Sequence, residues 1–145
     1  ANNNTAAEST TTTTNNDEEQ KDKWGRIVYK HGYLNRRTDI LKKWKITYVA
    51  VREDKFCWFD SKDDFLNGKK KKGGMVYHGG SFVDKEDELE IDKKYVFSFN
   101  SRSRACFVET GSEEERVAWI AAVKKAIKAF NDNPNSKKSK YSHLS

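Results

Sequence analysis

The stretch YVFSFNSRSRACFVETGSEEERVAWIAAVKKAIKAF, residues 95–130, decides the fold. Two segments rich in aromatic and β-branched residues, 95–100 and 105–110, flank the polar sequence SRSR, which predicts an antiparallel hairpin. After Gly111 the apolar residues change to a helical period. Ser112 and Glu115 have the spacing of a capping box at the start of that helix. The stretch therefore predicts a sheet that is followed directly by one helix.

The predicted helix is amphipathic and needs a sheet to pack on. Its apolar stripe consists of Trp119, Ile120, Val123, Ala126, Ile127 and Phe130. Further strand patterns precede it at 27–35, 44–51, 56–60 and 73–83. These segments leave no room for crossover helices, so we expect antiparallel strands. The predicted fold class is mainly β, with about seven antiparallel strands in an open, bent sandwich or barrel and one C-terminal α-helix over one end.

The 145 residues suffice for one domain. The first twenty contain no aromatic or large aliphatic side chain that could offset the entropy lost on ordering. We therefore expect a disordered polar leader at 1–23, a folded domain at 24–131 and a flexible basic tail at 132–145. Because the chain begins with Ala, we also expect native residues upstream, together with any lipidation signal.

The net charge of +6 is distributed unevenly, because residues 1–20 contain four acidic residues and no Lys or Arg. A basic folded part favours an anionic partner, which could be a membrane, a nucleic acid or an acidic protein. No apolar run of the sequence is long enough for a spanning helix, and we expect no signal peptide. Cys57 and Cys106 are expected to be small buried residues in a reducing compartment, and a single disulfide is the less favoured alternative.

The segment RRTDILKKWKIT, residues 36–47, combines basic and aliphatic residues in a way that suits an anionic membrane. The predicted headgroup-binding residues are Lys30, Arg36, Arg37, Lys42, Lys43 and Lys45. Ile40 and Leu41 are predicted to insert at the loop tip; alternatively, they fold back on the rim of the sheet. The run Lys69, Lys70, Lys71 and Lys72 is predicted to add a mobile secondary electrostatic contact, unless it is only a solvated loop. The acidic segment 84–92 is predicted to face away from the membrane; the equally favoured alternative is that it is only a solvated loop.

The sequence lacks the motifs of an enzyme, since it has no nucleophile motif and no phosphate-binding loop between a strand and a helix. His31, His78 and His143 have no metal-ligand spacing with the two cysteines. We therefore expect no catalytic residue, no metal and no cofactor. Nucleic acid is a disfavoured partner because the aromatic residues occupy core positions. A protein or peptide bound along a sheet edge and the helix stays an alternative, and we expect a monomer.

Several motifs resemble those of the pleckstrin-homology (PH) domain family over about residues 27–130. They are Lys30-x-Gly32-x-Leu34, Trp44-Lys45 followed by Tyr48-Val49-x-Val51, and Trp119 in a helix opened by Ser-x-x-Glu. The resemblance implies a seven-stranded bent sandwich and a lipid headgroup site between the first two loops at its open end. Phosphoinositide-binding members usually carry Lys-x-Arg on the second strand, where this chain has Lys45-Ile46-Thr47. Loss of the arginine favours phosphatidic acid, with a phosphoinositide as the alternative.

The Asn- and Thr-rich leader adds a narrower similarity, to the acylated PH proteins of apicomplexan parasites. That similarity implies a lipid sensor in regulated secretion. The expected location is cytoplasmic, peripheral on the cytosolic face of a secretory organelle or the plasma membrane.

Overall fold

The computed structural model describes residues 20–133 of the chain. Within them lie eight β-strands and two α-helices. The strands are β1 (Gln20–Lys21), β2 (Ile27–Arg37), β3 (Trp44–Arg52), β4 (Lys55–Phe59), β5 (Gly73–Val76), β6 (Phe82–Glu86), β7 (Val96–Ser101) and β8 (Arg104–Glu109). The helices are α1 (Lys62–Leu66) and α2 (Glu113–Asp132).

The strands form one antiparallel sheet in the order β5-β4-β3-β2-β8-β7-β6, and the short β1 pairs with β2. The register joins β2 to β8 only at Asn35 and Arg36, whereas β2 and β3 pair along most of their length. Because the two halves of the sheet meet over so few residues, they separate and face each other around a shared core. The predicted mainly β fold with a C-terminal helix is confirmed.

The core lies between the two halves of the sheet and under α2. Its fully or nearly fully buried residues include Val49, Val51, Phe56, Phe97, Phe99, Val108, Trp119 and Val123. The predicted N-cap is present, since the Ser112 side chain accepts a hydrogen bond from the Glu115 N–H at 3.1 Å. Glu115 itself accepts from the Gly111 N–H at 2.9 Å, so the carboxylate caps one residue earlier than a capping box requires.

A second, smaller apolar cluster lies on the outer face of β3 and β4, where α1 covers it. It contains Val28, Tyr48, Ala50, Cys57, Phe59 and Phe65. The sequence did not predict α1, although its N-cap Ser61 accepts from the Asp64 N–H at 3.1 Å. Cys57 and Cys106 are both buried and free, as expected of small core residues.

The predicted disordered leader, 1–23, is wrong at its end: Gln20 and Lys21 form β1 on β2, and the buried Asp22 side chain pairs with Arg26 at 2.8 Å. Residues 1–19 of the leader and residues 134–145 of the tail lie outside the described residues. Of the tail, the structure includes the end of α2 at Asp132 and the following Asn133. The described chain contains no helix that is both long and apolar enough to cross a membrane.

Candidate anion-binding site

Three loops meet at the end of the sandwich opposite α2, and we call this end the mouth. They are residues 38–43 between β2 and β3, residues 60–72 between β4 and β5, and residues 102–103 between β7 and β8. The first and third are joined by an ion pair of 2.9 Å between Asp39 and Arg104. Arg104 also donates to the Gly74 carbonyl at 3.4 Å, which links it to the end of the second loop.

Arg36 lies at the base of the mouth. Its side chain follows that of Leu34 on the inner face of β2, because alternate residues of a strand share a face. The guanidinium carbon is 4.3 Å from the centroid of the Trp58 ring. Only 9% of the residue is exposed. The sequence predicts that this basic residue lies near the loop. The structure shows that it is also nearly buried.

Arg36 makes no ion pair with any carboxylate in residues 20–133, and its Nε–H has no hydrogen-bond partner there. The neighbouring thiol of Cys106 does not balance the charge, since burial raises its pKa to about 12 and keeps it protonated. Arginine is seldom buried without a partner, because desolvating an uncompensated charge costs several kcal/mol. An anion entering the mouth would supply the missing partner.

Three further basic residues lie at this end of the sandwich, two in the 38–43 loop and one at the start of β3. Lys42, Lys43 and Lys45 are exposed, and the loop is closed by a 2.7 Å hydrogen bond from the Thr38 N–H to the Lys43 carbonyl. Lys42 has a positive φ of 56°, as a tight turn requires. Lys45 pairs with Arg36 in the β2–β3 register, so the two side chains project from neighbouring positions on the same face of the sheet.

Thr47, two residues after Lys45 on β3, is buried, and its hydroxyl already has a hydrogen-bond partner. It is 3% exposed. Its hydroxyl donates to the Lys45 carbonyl at 3.1 Å. The base of the mouth therefore offers one guanidinium and surrounding ammonium groups, without a second guanidinium from β3.

Ile40 and Leu41 project from the tip of the 38–43 loop. They are 90% and 69% exposed, so the alternative in which they fold back on the sheet is not the conformation observed. Two adjacent aliphatic side chains at the tip of a cationic loop leave an apolar surface that water solvates poorly.

Lys30 is separated from the rest of the predicted headgroup-binding residues. It precedes Arg36 by six residues, which is about 20 Å along a strand. Its ammonium lies 5.3 Å from the centroid of the Trp119 ring, at the α2 end of the sandwich. Burial lowers the pKa of Lys30, and Glu115 partly offsets the effect. The structure therefore does not bring Lys30 to the mouth.

Arg37 is adjacent to Arg36 in sequence but faces the opposite side of the β2–β3 hairpin. Its Nη1 donates to Glu90 Oε2 at 3.2 Å, and its guanidinium carbon lies 4.5 Å from the centroid of the Phe107 ring. Glu90 also accepts from Trp44 Nε1 at 3.1 Å. Glu90, which belongs to the acidic segment 84–92, therefore contacts the base of the basic loop. The orientation of that segment at a membrane stays a prediction.

The secondary run Lys69, Lys70, Lys71 and Lys72 follows α1 and borders the mouth. Its mobility stays a prediction, and backbone hydrogen bonds hold both ends of the run. The Lys69 N–H donates to the Asp64 carbonyl at 2.9 Å, and the Lys72 N–H donates to the Trp58 carbonyl at 2.8 Å. The run thus adds positive charge beside the same opening as the 38–43 loop.

Two parts of this arrangement were not predicted from the sequence. They are the packing of Arg36 on the Trp58 ring, which we call the Trp58 platform, and the contact of Arg37 with Glu90. Strand alternation could have separated Arg36 from Arg37, because neighbouring residues of a strand point to opposite faces. No local pattern could have identified Glu90, which lies in the segment between β6 and β7 and meets Arg37 only through the tertiary fold.

Comparison with known proteins gives an independent line of information. The sequence model of the PH domain family matches residues 28–128. A PH domain-containing protein of Dictyostelium discoideum is 22% identical over 98 residues, which are 68% of this chain and 20% of that protein. Human pleckstrin is 28% identical over 102 residues, 70% of this chain and 28% of pleckstrin. The chain thus spans less than a third of the length of either relative.

Solved structures show the same fold. The crystal structure of the C-terminal PH domain of pleckstrin has a TM-score of 0.59 at 21% identity, covering 70% of this chain and 98% of that one. The same domain in complex with D-myo-Ins(1,2,3,4,5)P5 has a TM-score of 0.52 at 22% identity, covering 68% of this chain and 97% of that one.

Proposed function

The chain belongs to the PH domain family, and on that premise we propose that it is a non-catalytic membrane-recruitment module. It binds the anionic headgroup of a phospholipid in the mouth, and phosphatidic acid is the favoured lipid. Arg36 contacts the phosphate, with Lys42, Lys43 and Lys45 around it. Ile40 and Leu41 enter the membrane interface.

One observation carries this proposal: Arg36 is nearly buried and has no anionic partner within the described chain. Its guanidinium is held against Trp58, so it does not need to reorganise when an anion arrives. Charge-assisted hydrogen bonds from a guanidinium to a phosphate are about twice as strong as neutral ones. A headgroup phosphate thus satisfies a donor that the folded protein leaves unpaired.

The preference for phosphatidic acid follows from the size of the donor set. Its phosphate is a monoester that lies close to the bilayer and can carry more than one negative charge. A single guanidinium with nearby ammonium groups suits one such phosphate. A polyphosphorylated inositol ring would benefit from a further planar clamp, and buried Thr47 does not provide one.

Ile40 and Leu41 at the loop tip and the run Lys69–Lys72 add affinity for the membrane surface, in addition to the headgroup bound in the mouth. Each basic residue near an anionic leaflet contributes about 1 kcal/mol, screened by salt. An aliphatic side chain contributes about 1.5–3 kcal/mol when it is fully buried. With both Ile40 and Leu41 exposed, these contributions support reversible recruitment.

A phosphoinositide is the alternative ligand, and the complex of the pleckstrin domain with an inositol pentakisphosphate supports it. A protein or peptide ligand is a second candidate function, favoured by a groove of about 370 Å³ between β6 and α2. Ser81, Phe82, Lys124, Ile127 and Asn131 are among its lining residues. Edge strand β6 could pair there with an added strand.

The expected role as a lipid sensor in regulated secretion, and the similarity to acylated apicomplexan proteins, stay part of this proposal. They rest on the polar leader. The relatives described above, from a slime mould and a mammal, add no support for that narrower similarity.

Co-sedimentation with vesicles of equal surface charge tests the proposal. Vesicles contain phosphatidic acid, phosphatidylserine or a phosphoinositide at about 150 mM salt, where surface charges are partly screened. Preferential binding to phosphatidic acid is expected. Preference for the phosphoinositide would replace the proposed lipid with the alternative, and equal binding to all three would contradict a headgroup site. No binding would favour the protein-ligand candidate.

A further inference from the structure

The turn between β7 and β8 carries an unbonded hydroxyl group at the mouth. Ser103 is exposed, and it follows Arg102, whose φ of 58° belongs to a tight two-residue turn. Within residues 20–133, every other Ser and Thr hydroxyl takes part in a hydrogen bond. These residues are Thr38, Thr47, Ser61, Ser81, Ser98, Ser101, Thr110 and Ser112. The Ser103 hydroxyl makes no hydrogen bond with this part of the chain, so it is accessible to a modifying enzyme.

We propose that Ser103 is a phosphorylation site that switches off membrane binding. This inference rests on the proposed function, since a phosphate at Ser103 acts on headgroup binding in the mouth. A protein kinase transfers the γ-phosphoryl group of ATP to Ser103 Oγ, the bond to ADP breaks, and the hydroxyl proton passes to the general base of the kinase. A phosphatase reverses the modification by hydrolysing the ester to serine and inorganic phosphate.

The residues around Ser103 suit a kinase that recognises arginine. Arg102 and Arg104 stand on either side of the serine in the segment NSRSR, residues 100–104. Arg102 is exposed, and half of the Arg104 side chain is exposed. Residues 102 and 103 lie outside the β-ladder, which ends at the pair of Ser101 with Arg104. An enzyme with an acidic substrate groove can therefore contact both guanidinium groups and reach the hydroxyl between them.

A phosphate on Ser103 would change the contact that joins two loops of the mouth. Arg104 pairs with Asp39 at 2.9 Å, and this pair ties the β7–β8 turn to the 38–43 loop. A phosphate carries about two negative charges and three acceptor oxygens, so it competes with the single carboxylate for Arg104. The 38–43 loop then loses its tether to the turn. Ile40 and Leu41, which follow Asp39 in that loop, lose their fixed position relative to the mouth.

The added charge also opposes the membrane directly. Lys42, Lys43 and Lys45 are exposed at the same end of the sandwich and attract an anionic leaflet. A phosphoserine brings about two negative charges to this end, which offset the contribution of about two of the three lysines. The affinity for anionic vesicles should therefore fall about ten- to thirtyfold.

Phosphoserine encoded at position 103 during translation tests the switch without a choice of kinase. The matched control is Gly79→Ser carrying the same phosphate, because Gly79 is exposed and a Cβ there meets nothing within 4 Å. Gly79 follows the end of β5 that pairs with Lys55, away from the mouth. In co-sedimentation with phosphatidic acid vesicles, the chain phosphorylated at Ser103 should bind about ten- to thirtyfold more weakly than the unmodified chain. The phosphorylated Gly79→Ser control should keep most of its binding.

Treatment of the full chain with an arginine-directed protein kinase and ATP, followed by mass spectrometry, tests the modification itself. Phosphate should appear on Ser103, and Ser103→Ala should lose that phosphopeptide. The inference is overturned if Ser103 of the folded chain stays unmodified, or if the chains phosphorylated at positions 103 and 79 bind vesicles equally. Failure of the unmodified chain to bind phosphatidic acid vesicles would instead refute the proposed function, on which the switch depends.

Discussion

The guanidinium of Arg36 lies over the ring of Trp58, 4.3 Å from its centroid, at the base of the mouth. This contact joins β2 to β4 over the inner face of the intervening β3, and no carboxylate of the described chain forms an ion pair with this nearly buried cation. A cation–π contact offsets only part of the cost of desolvating the charge. With Arg36 at this position, the free energy of unfolding is therefore lower than it would be with a well-packed apolar residue. Such a loss of stability is common at residues that bind a ligand.

Replacing this cation should separate binding from stability. Arg36→Met keeps an unbranched side chain over Trp58 and removes the unpaired charge. We expect at least a tenfold loss of affinity for phosphatidic acid vesicles and an unchanged or higher free energy of unfolding. Chemical denaturation and co-sedimentation measure the two effects. Lys21→Gln, which removes one exposed charge from β1 far from the mouth, is the control and should keep most of the binding. A large loss of stability in Arg36→Met would mean that Arg36 is mainly structural.

Gly73 keeps the Trp58 platform in position. A Cβ at Gly73 would lie 2.7 Å from atoms of the Trp58 indole, which is too close for real contacts. Gly73→Ala should therefore displace the ring, destabilise the domain by about 1–3 kcal/mol and weaken headgroup binding. Gly79→Ala is the matched control, because a Cβ there meets nothing within 4 Å. Equal binding by the two variants would show that the position of the platform is unimportant.

The tip residues should affect binding without affecting the fold. Ile40→Asp with Leu41→Asp replaces two exposed aliphatic side chains by charges that an anionic membrane repels. Binding to vesicles should fall by at least an order of magnitude, since insertion of each aliphatic group is worth about 1.5–3 kcal/mol. The melting temperature should be almost unchanged. If the double variant sediments with vesicles like the parent chain, the tip does not insert.

His31 should make stability depend on pH. Its Nδ1 lies 2.6 Å from the Tyr48 hydroxyl, and its ring is 4.8 Å from that of Phe65. Burial lowers its pKa from 6.5 to about 4, with Lys62 and Lys30 adding to the effect. The unfolded chain therefore binds a proton more readily than the folded one, so stability is complete above pH 6.5 and falls as the pH drops towards 4.

The loss attributable to His31 should reach up to about 3 kcal/mol over that interval. Urea unfolding at several pH values measures it, with His31→Phe as the comparison. The variant should show a shallower decline in the free energy of unfolding. Parallel declines in the two proteins would show that other groups control the acid sensitivity.

The fold could be predicted from local patterns because those patterns agree with each other. The predicted strand segments 44–51 and 56–60 correspond to β3 and β4, and the buried positions of α2 follow the predicted stripe at Trp119, Val123, Ala126 and Ile127. Helix α1 was not predicted, because its five residues include only one buried residue, Phe65, and this is too short for a recognisable pattern.

The site was predictable only in part, because the sequence shows which residues are charged but not which way their side chains point. Arg36 and Arg37 look equivalent in the sequence, yet one points into the mouth and the other contacts Glu90. Lys30 belongs to the same strand but lies at its other end, on Trp119. The partners of these residues come from distant elements, so only the tertiary structure separates their roles.

The most direct test of the central claim is an NMR titration that follows the Arg36 Nε–H signal as short-chain phosphatidic acid is added. This group has no hydrogen-bond partner within the described chain, so a bound phosphate should change its environment more than that of any surface lysine. We expect a saturable shift of the Arg36 signal, absent with a zwitterionic lipid of the same chain length. An unchanged Arg36 signal, with shifts confined to Lys42, Lys43 and Lys69–Lys72, would reduce the mouth to a nonspecific charged surface and contradict the account.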